Sequence, residues 1–283
     1  MTAQTLEQHA SVSSVNSADG TPISYRSTGT GPGLIIVPGA LALAADFDPL
    51  AAAFAGRFTV HTIERRGRGA SGPQGDNYSA DAECADIEAV RAATGARFLL
   101  GHSFGGFLAL EAALKTNAFD RMAVYEPGVC IDGSIPMDWA EQCQRQLDAG
   151  KPFEAFLTFV QGINPQTSGK APRWLLRAII PLAIKKHERQ QKYALLAGTI
   201  REHAEEARRN NDYRKYAGIT MPVLLMAGKE ADKTGAGRAP GRLKDVLPQS
   251  ELTLFPKLDH FGPEKDPAAI AATVTAFFLG VPR

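Results

Sequence analysis

Cysteine is scarce in this chain: three in 283 residues, at Cys84, Cys130 and Cys143. An odd number without metal-ligand spacing argues against a disulfide framework or a cysteine-based metal site and suits small, reduced, buried side chains. An excess of either charge is also missing. With 31 basic against 30 acidic residues the formal charge is +1, too little to gather nucleic acid or an anionic membrane, so neither is an expected partner. No stretch supplies the roughly 18 consecutive apolar residues of a membrane span. Residues 1–18 hold Gln4, Glu7, Gln8, His9 and several serines, without the basic-then-apolar order of a secretory signal; a loose tail and a cytoplasmic protein are the expectations. Fixed-period repeats and low-complexity segments are absent as well.

Short apolar runs are present, spaced by helical patterns. After a turn at Ala18-Asp19-Gly20, the segment Thr21 to Arg26 alternates as an antiparallel edge hairpin does. Gly33 to Val37, Phe58 to Ile63, Phe98 to Leu100, Met122 to Tyr125, Val223 to Met226 and Leu252 to Phe255 read as strands, most of them continuous apolar runs buried on both faces. Helical stretches at 48–56, 79–94, 106–116 and 241–246 separate most of them, and 267–279 closes the chain. This rhythm predicts an α/β fold with a mostly parallel central sheet flanked by helices. It breaks at 128–220, where only helical patterns occur, so the expected organisation is a core of 19–127 and 221–283 with an inserted helical cap at 128–220. Within the cap, Glu205 and Arg209 can pair on what reads as a solvated face of a helix over 199–211.

One serine stands where chemistry is expected. Gly101-His102-Ser103-Phe104-Gly105 follows the Phe98 strand and precedes a helix, the strand-turn-helix setting of a nucleophile elbow. Glycine on both sides fits a strained turn where a Cβ would clash. A serine hydroxyl is a weak nucleophile alone and needs a base and an orienting acid. Of six histidines, His260 follows the last strand in Leu258-Asp259-His260-Phe261-Gly262, at the sheet edge where Ser103 lies, and is the expected base. His61 and His102 read as structural; His9, His187 and His203 read as solvated. The oxyanion formed on attack needs two backbone N–H donors, expected from Phe104 and from Ala40, or less favourably Leu41, after Pro38-Gly39.

With these motifs in order, the chain resembles the α/β-hydrolase superfamily from about residue 20 to the end. Glu64-Arg65-Arg66-Gly67-Arg68-Gly69-Ala70-Ser71-Gly72 is similar to the family's Asp-x-Arg-Gly-x-Gly-x-Ser turn, and Pro38-Gly39 stands in place of its His-Gly. Serine at the elbow, where similar epoxide hydrolases and haloalkane dehalogenases carry aspartate, argues against both of those reactions. The resemblance leaves two places for the acid. The usual one follows the Val223 strand, where Gly228-Lys229-Glu230-Ala231-Asp232 puts Asp232 one residue late. The other is the end of the preceding strand, where Glu126 needs a partner that an imidazole would supply. Glu126 is favoured, Asp232 is the alternative and Glu230 stands third.

The resulting expectation is a serine hydrolase acting on a medium-sized hydrophobic ester or lactone, without metal or cofactor, as a monomer or homodimer. Trp139, Phe153, Phe156 and Trp174 are candidate lining of a pocket under the cap, although such stripes more often pack among themselves. Carbon-carbon bond hydrolysis of a dienoic product is the rival, favoured if Arg66 or Arg173 reaches the pocket. A small-molecule receptor with slow turnover is a second rival.

Overall fold

The computed structural model describes residues 10–229 and 235–281. Eight strands form one sheet: β1 (Ser11–Asn16), β2 (Pro22–Gly29), β3 (Gly33–Val37), β4 (Thr59–Ile63), β5 (Phe98–His102), β6 (Arg121–Tyr125), β7 (Val223–Gly228) and β8 (Ser250–Phe255). Their order is β1-β2-β4-β3-β5-β6-β7-β8. β1 and β2 run antiparallel to their neighbours, and all pairings from β4 through β8 are parallel. The helices are α1 (Asp48–Phe54), α2 (Ala80–Thr94), α3 (Phe104–Lys115), α4 (Ala140–Asp148), α5 (Pro152–Ile163), α6 (Arg173–Ala183), α7 (Lys186–Arg208), α8 (Gly235–Lys244), α9 (Gly262–Lys265) and α10 (Pro267–Leu279).

Alternate residues of a strand point to opposite faces, so a strand covered on both sides must be apolar throughout. β3 does this: Ile35 and Val37 pack with Ile87, Val90, Phe107 and Leu110 of α2 and α3, while Leu34 and Ile36 pack with Leu50, Phe54, Ile270 and Val274 of α1 and α10. Two helix ends are sealed locally. Ser79 caps α2 by accepting from the Ala82 N–H, and Gly95 ends it in the left-handed conformation that glycine adopts without strain.

The chain between β6 and β7 carries α4 to α7. These helices have a core of their own, with Trp139, Cys143, Phe156, Leu157, Phe159 and Leu196 buried together. Leu41, from the loop after β3, also enters this cluster and joins it to the sheet domain.

Two expectations change. Part of the N-terminal segment read as a loose tail is strand β1, in register from Ser11 opposite Ser27 to Asn16 opposite Pro22. It is a polar edge strand, mostly exposed, and so lacks the apolar run by which buried strands are recognised. The charged stretch near Glu205 belongs to the 23-residue α7, and its acids face inward: Glu202, Glu205 and Glu206 are 0 %, 4 % and 3 % exposed.

Buried charge joins cap to core here. Arg65 makes two hydrogen bonds to Glu83, at 2.7 and 2.6 Å, and reaches Glu202 of α7 at 3.1 Å. Arg68 pairs with the same Glu202 at 2.8 Å. Burial works against a charged Glu202, but the two guanidiniums outweigh it and hold its pKa below the usual value. Glu205 accepts the Ala80 N–H at the start of α2 and pairs with Arg209 as its spacing suggested.

Candidate active site

Ser103 is the single residue between the end of β5 and the start of α3. Its backbone sits at φ 54° and ψ −122°, a conformation that costs a non-glycine residue on the order of 1–3 kcal/mol. Surrounding hydrogen bonds impose it. The Ser103 N–H donates to the Tyr125 carbonyl, and its own carbonyl accepts from the N–H groups of Gly106, Phe107 and Gly128. The strain lies on the serine itself; Gly101 and Gly105 have no positive φ and supply room. A Cβ at Gly101 would fall on the Gly105 carbonyl, and one at Gly105 on the Val37 carbonyl. Gly105→Ala must displace backbone, so it is expected to lower unfolding stability by about 3 kcal/mol, readable in urea denaturation; a loss under about 0.5 kcal/mol would refute the close approach.

His260 lies in the loop after β8. Its Nε2 is 3.0 Å from Ser103 Oγ and its Nδ1 is 2.8 Å from Glu126 Oε2. Glu126 directly follows β6, with φ 40°, and is 2 % exposed; its second oxygen, Oε1, accepts the Gly228 N–H at 2.8 Å. The alternative acids Asp232 and Glu230 lie outside the described residues.

The His260 loop is pinned from below. Tyr125 donates its hydroxyl to the Asp259 carbonyl at 2.7 Å, and His102 donates Nε2–H to the His260 carbonyl at 2.7 Å. Burial, aided by the nearby His260, pushes the His102 pKa down to about 3, so its ring is neutral and its Nδ1 is a bare, enclosed acceptor. The residue inside the elbow motif thus holds the loop that carries His260.

The loop after β3 passes beside the serine, with the site of a Gly39 Cβ only 3.0 Å from Ser103 Cβ. Among the described residues, the N–H groups of Ala40 and Phe104 donate to no backbone carbonyl or side chain in a turn or cap. Leu41 turns the chain with φ 54° and sends its side chain into the cap core. Arg65 braces both sides of this arrangement: Nη1 donates to the Gly39 carbonyl at 3.2 Å and the guanidinium lies 4.4 Å from the centre of the Phe104 ring.

Three of the four cap aromatics pack in the cap core and one lies on its outside. Trp139 and Phe156 are each 4 % exposed in the cap core, Phe153 packs near Tyr193 there, and Trp174 is 70 % exposed on the outside of α6. Helical spacing produced the same stripe that a ligand wall would. Phe261 does touch the His260 ring, edge to face at 5.6 Å, and is half exposed. Neither arginine of the rival reading is free for a ligand: Arg66 makes two bonds to Asp86 and one to Asp19, and Arg173 binds Glu154 and Gln161. A cleft of about 700 Å³ between the cap and the β7–β8 edge, lined in part by Ile131, Ile163, Ala227 and Leu254, includes neither Ser103 nor His260.

Two residues escaped the sequence reading. His203, expected to be solvated, packs edge-on against Trp139 and Phe159. Glu206 is buried close to Gly128. Burial, reinforced by Glu202, raises its pKa well above the usual carboxyl value. A raised acid gives stability that is fully present below its unfolded value and lost as pH rises through its folded value. Glu206→Gln is therefore expected to raise the melting temperature at pH 8 by a few degrees and to leave it nearly unchanged at pH 4; equal shifts at both would refute a neutral Glu206.

Among the described residues no helix is long and apolar enough to cross a membrane, and no group of three or more His, Cys, Asp or Glu is placed to hold a metal. No curated protein matches the chain. Solved structures do. An alpha/beta hydrolase from Sphaerobacter thermophilus DSM 20745 shares 30 % identity with a TM-score of 0.77, covering 94 % of this chain and all of that one. A hydrolase from Pseudomonas aeruginosa PA01 shares 22 % identity with a TM-score of 0.74, over 95 % and 98 % of the two chains. An esterase from Rhodococcus sp. ECU1013, at 20 % identity and TM-score 0.70 over 96 % and 100 %, has the same fold. The model of the Alpha/beta hydrolase family matches residues 34–273, a span from β3 to α10 that contains the elbow, Glu126 and His260, and the chain belongs to that family.

Proposed function

We propose that the protein is a serine hydrolase that cleaves a carboxylic ester or lactone of a medium-sized hydrophobic molecule through an acyl-enzyme on Ser103. His260 Nε2 takes the Ser103 proton as Oγ attacks the carbonyl, and the oxygen that becomes negative is held by the Phe104 and Ala40 N–H groups, each contributing about 3 kcal/mol to the transition state. His260 then gives that proton to the leaving oxygen. In the second half it activates water, which releases the acid and frees Ser103. Glu126 keeps Nδ1 protonated and stabilises the imidazolium. No metal or organic cofactor enters these steps.

The observation that carries the reading is the unbroken line Ser103 Oγ, His260, Glu126, with contacts of 3.0 and 2.8 Å. Against carbon-carbon cleavage stands the engagement of Arg66 and Arg173 with carboxylates elsewhere. The test is intact-mass analysis after exposure to a fluorophosphonate: one adduct, absent in Ser103→Ala, supports an activated serine, and no adduct in the wild type refutes it. A receptor would label but turn over no ester.

His102 is a positioning residue in this scheme. His102→Phe removes the donor to the His260 carbonyl and is expected to lower kcat by about 10²-fold with little change in KM, whereas His102→Gln, which keeps an N–H, recovers most of it. Equal kcat in the two variants would show that the hydrogen bond is not what matters.

A further inference from the structure

The face of α7 turned toward the elbow ends in two polar groups that the protein leaves unsatisfied. Glu206 is 3 % exposed, and a Cβ on Gly128 would fall on its carboxyl, while Phe104 Cα lies 3.5 Å from the same point. Gly128 in turn donates its N–H to the Ser103 carbonyl, so the carboxyl stands against the backbone of the elbow itself. Neither of its oxygens makes a hydrogen bond to a described residue. One turn earlier, His203 Nδ1 lies 3.0 Å from the Thr199 carbonyl. A carbonyl only accepts, so Nδ1 carries the proton and Nε2 is a lone-pair acceptor. Nε2 too has no partner among the described residues.

Neither group is fully sealed off. The fully enclosed side-chain atoms without a partner, among the described residues, are Ser17 Oγ, Arg68 Nε and His102 Nδ1. Glu206 and His203 are not among them, so a group the size of water reaches each. Their neighbours cannot satisfy them: Glu202 is committed to Arg65, Arg68 and Gln74, and Trp139 and Phe159 wall the His203 ring. A buried carboxyl beside an ionised Glu202 stays protonated and donates, while His203 accepts.

We propose that Glu206 and His203 form a polar subsite for a neutral hydroxyl on the acyl part of the substrate, accepting from Glu206 and donating to His203 Nε2, and that a carboxylate is excluded there. This rests on the ester-hydrolase reading. In that reading His260 protonates the leaving group, which therefore lies on its side, and the acyl chain is directed toward Gly128 and Phe104.

The test compares kcat/KM for methyl butyrate, methyl 3-hydroxybutyrate and monomethyl succinate, four-carbon acyl groups that differ only in what they carry. The hydroxy ester is expected to be preferred over the butyrate by about tenfold or more, with the succinate monoester cleaved least. Glu206→Leu and His203→Phe are each expected to bring the hydroxy-to-plain ratio to about one, and Glu206→Gln, which still donates, to keep most of it. A wild-type ratio near one overturns the subsite, as does a ratio unchanged in whichever of the two removal variants folds. A protein that labels at Ser103 yet cleaves none of the three overturns it as well. Failure of Ser103 to label removes the ester-hydrolase reading, and the subsite falls with it.

Discussion

Ser103→Ala is expected to lower kcat/KM for any ester the protein cleaves by about 10⁴-fold or more while leaving the melting temperature within a degree or two. Among the described residues the hydroxyl makes one hydrogen bond, to His260, so little folding energy goes with it. Alanine keeps the Cβ and with it the strained backbone at φ 54°. Ser103→Gly relieves that strain and is expected to be the more stable of two inactive variants, by about 1 kcal/mol. Measured turnover together with thermal unfolding decides this, and an alanine variant retaining more than about 1 % of activity would remove Ser103 from the mechanism.

Glu126→Gln should cost about 10³- to 10⁴-fold in kcat, for a reason the hydrogen bonds make specific. The Gly228 N–H donates to Oε1, so a glutamine must place its carbonyl oxygen there and turn its NH₂ toward His260. Facing a donor, Nδ1 gives up its proton and Nε2 becomes the protonated nitrogen, which cannot accept the proton of Ser103. Asp232→Asn is expected to leave kcat within about twofold. Reversed outcomes would move the acid to Asp232, and two equally active variants would mean that neither carboxylate serves.

The sheet was legible because strands buried on both faces must be apolar without alternation, as β3, β5, β6 and β7 are. Ser103 was legible from its place between a strand and a helix, and Glu126 from the oddity of a charge ending an apolar strand. Both meet His260 in the structure. β1 was hidden because an edge strand with exposed side chains needs no apolar pattern. The inward face of α7 was hidden for a different reason. Acids at 202, 205 and 206 recur with the spacing of a solvated stripe, and only the arginines at 65 and 68, far off in sequence, reveal that the stripe is interior. His203 was misread with them, since its apolar neighbours Trp139 and Phe159 come from other elements.

The charges that tie Glu202 to Arg65 and Arg68 bear on how a ligand gets in. Moving α7 away from the sheet would part Glu202 from two guanidiniums at once. A ligand that entered by displacing α7 would have to break both of these pairs first.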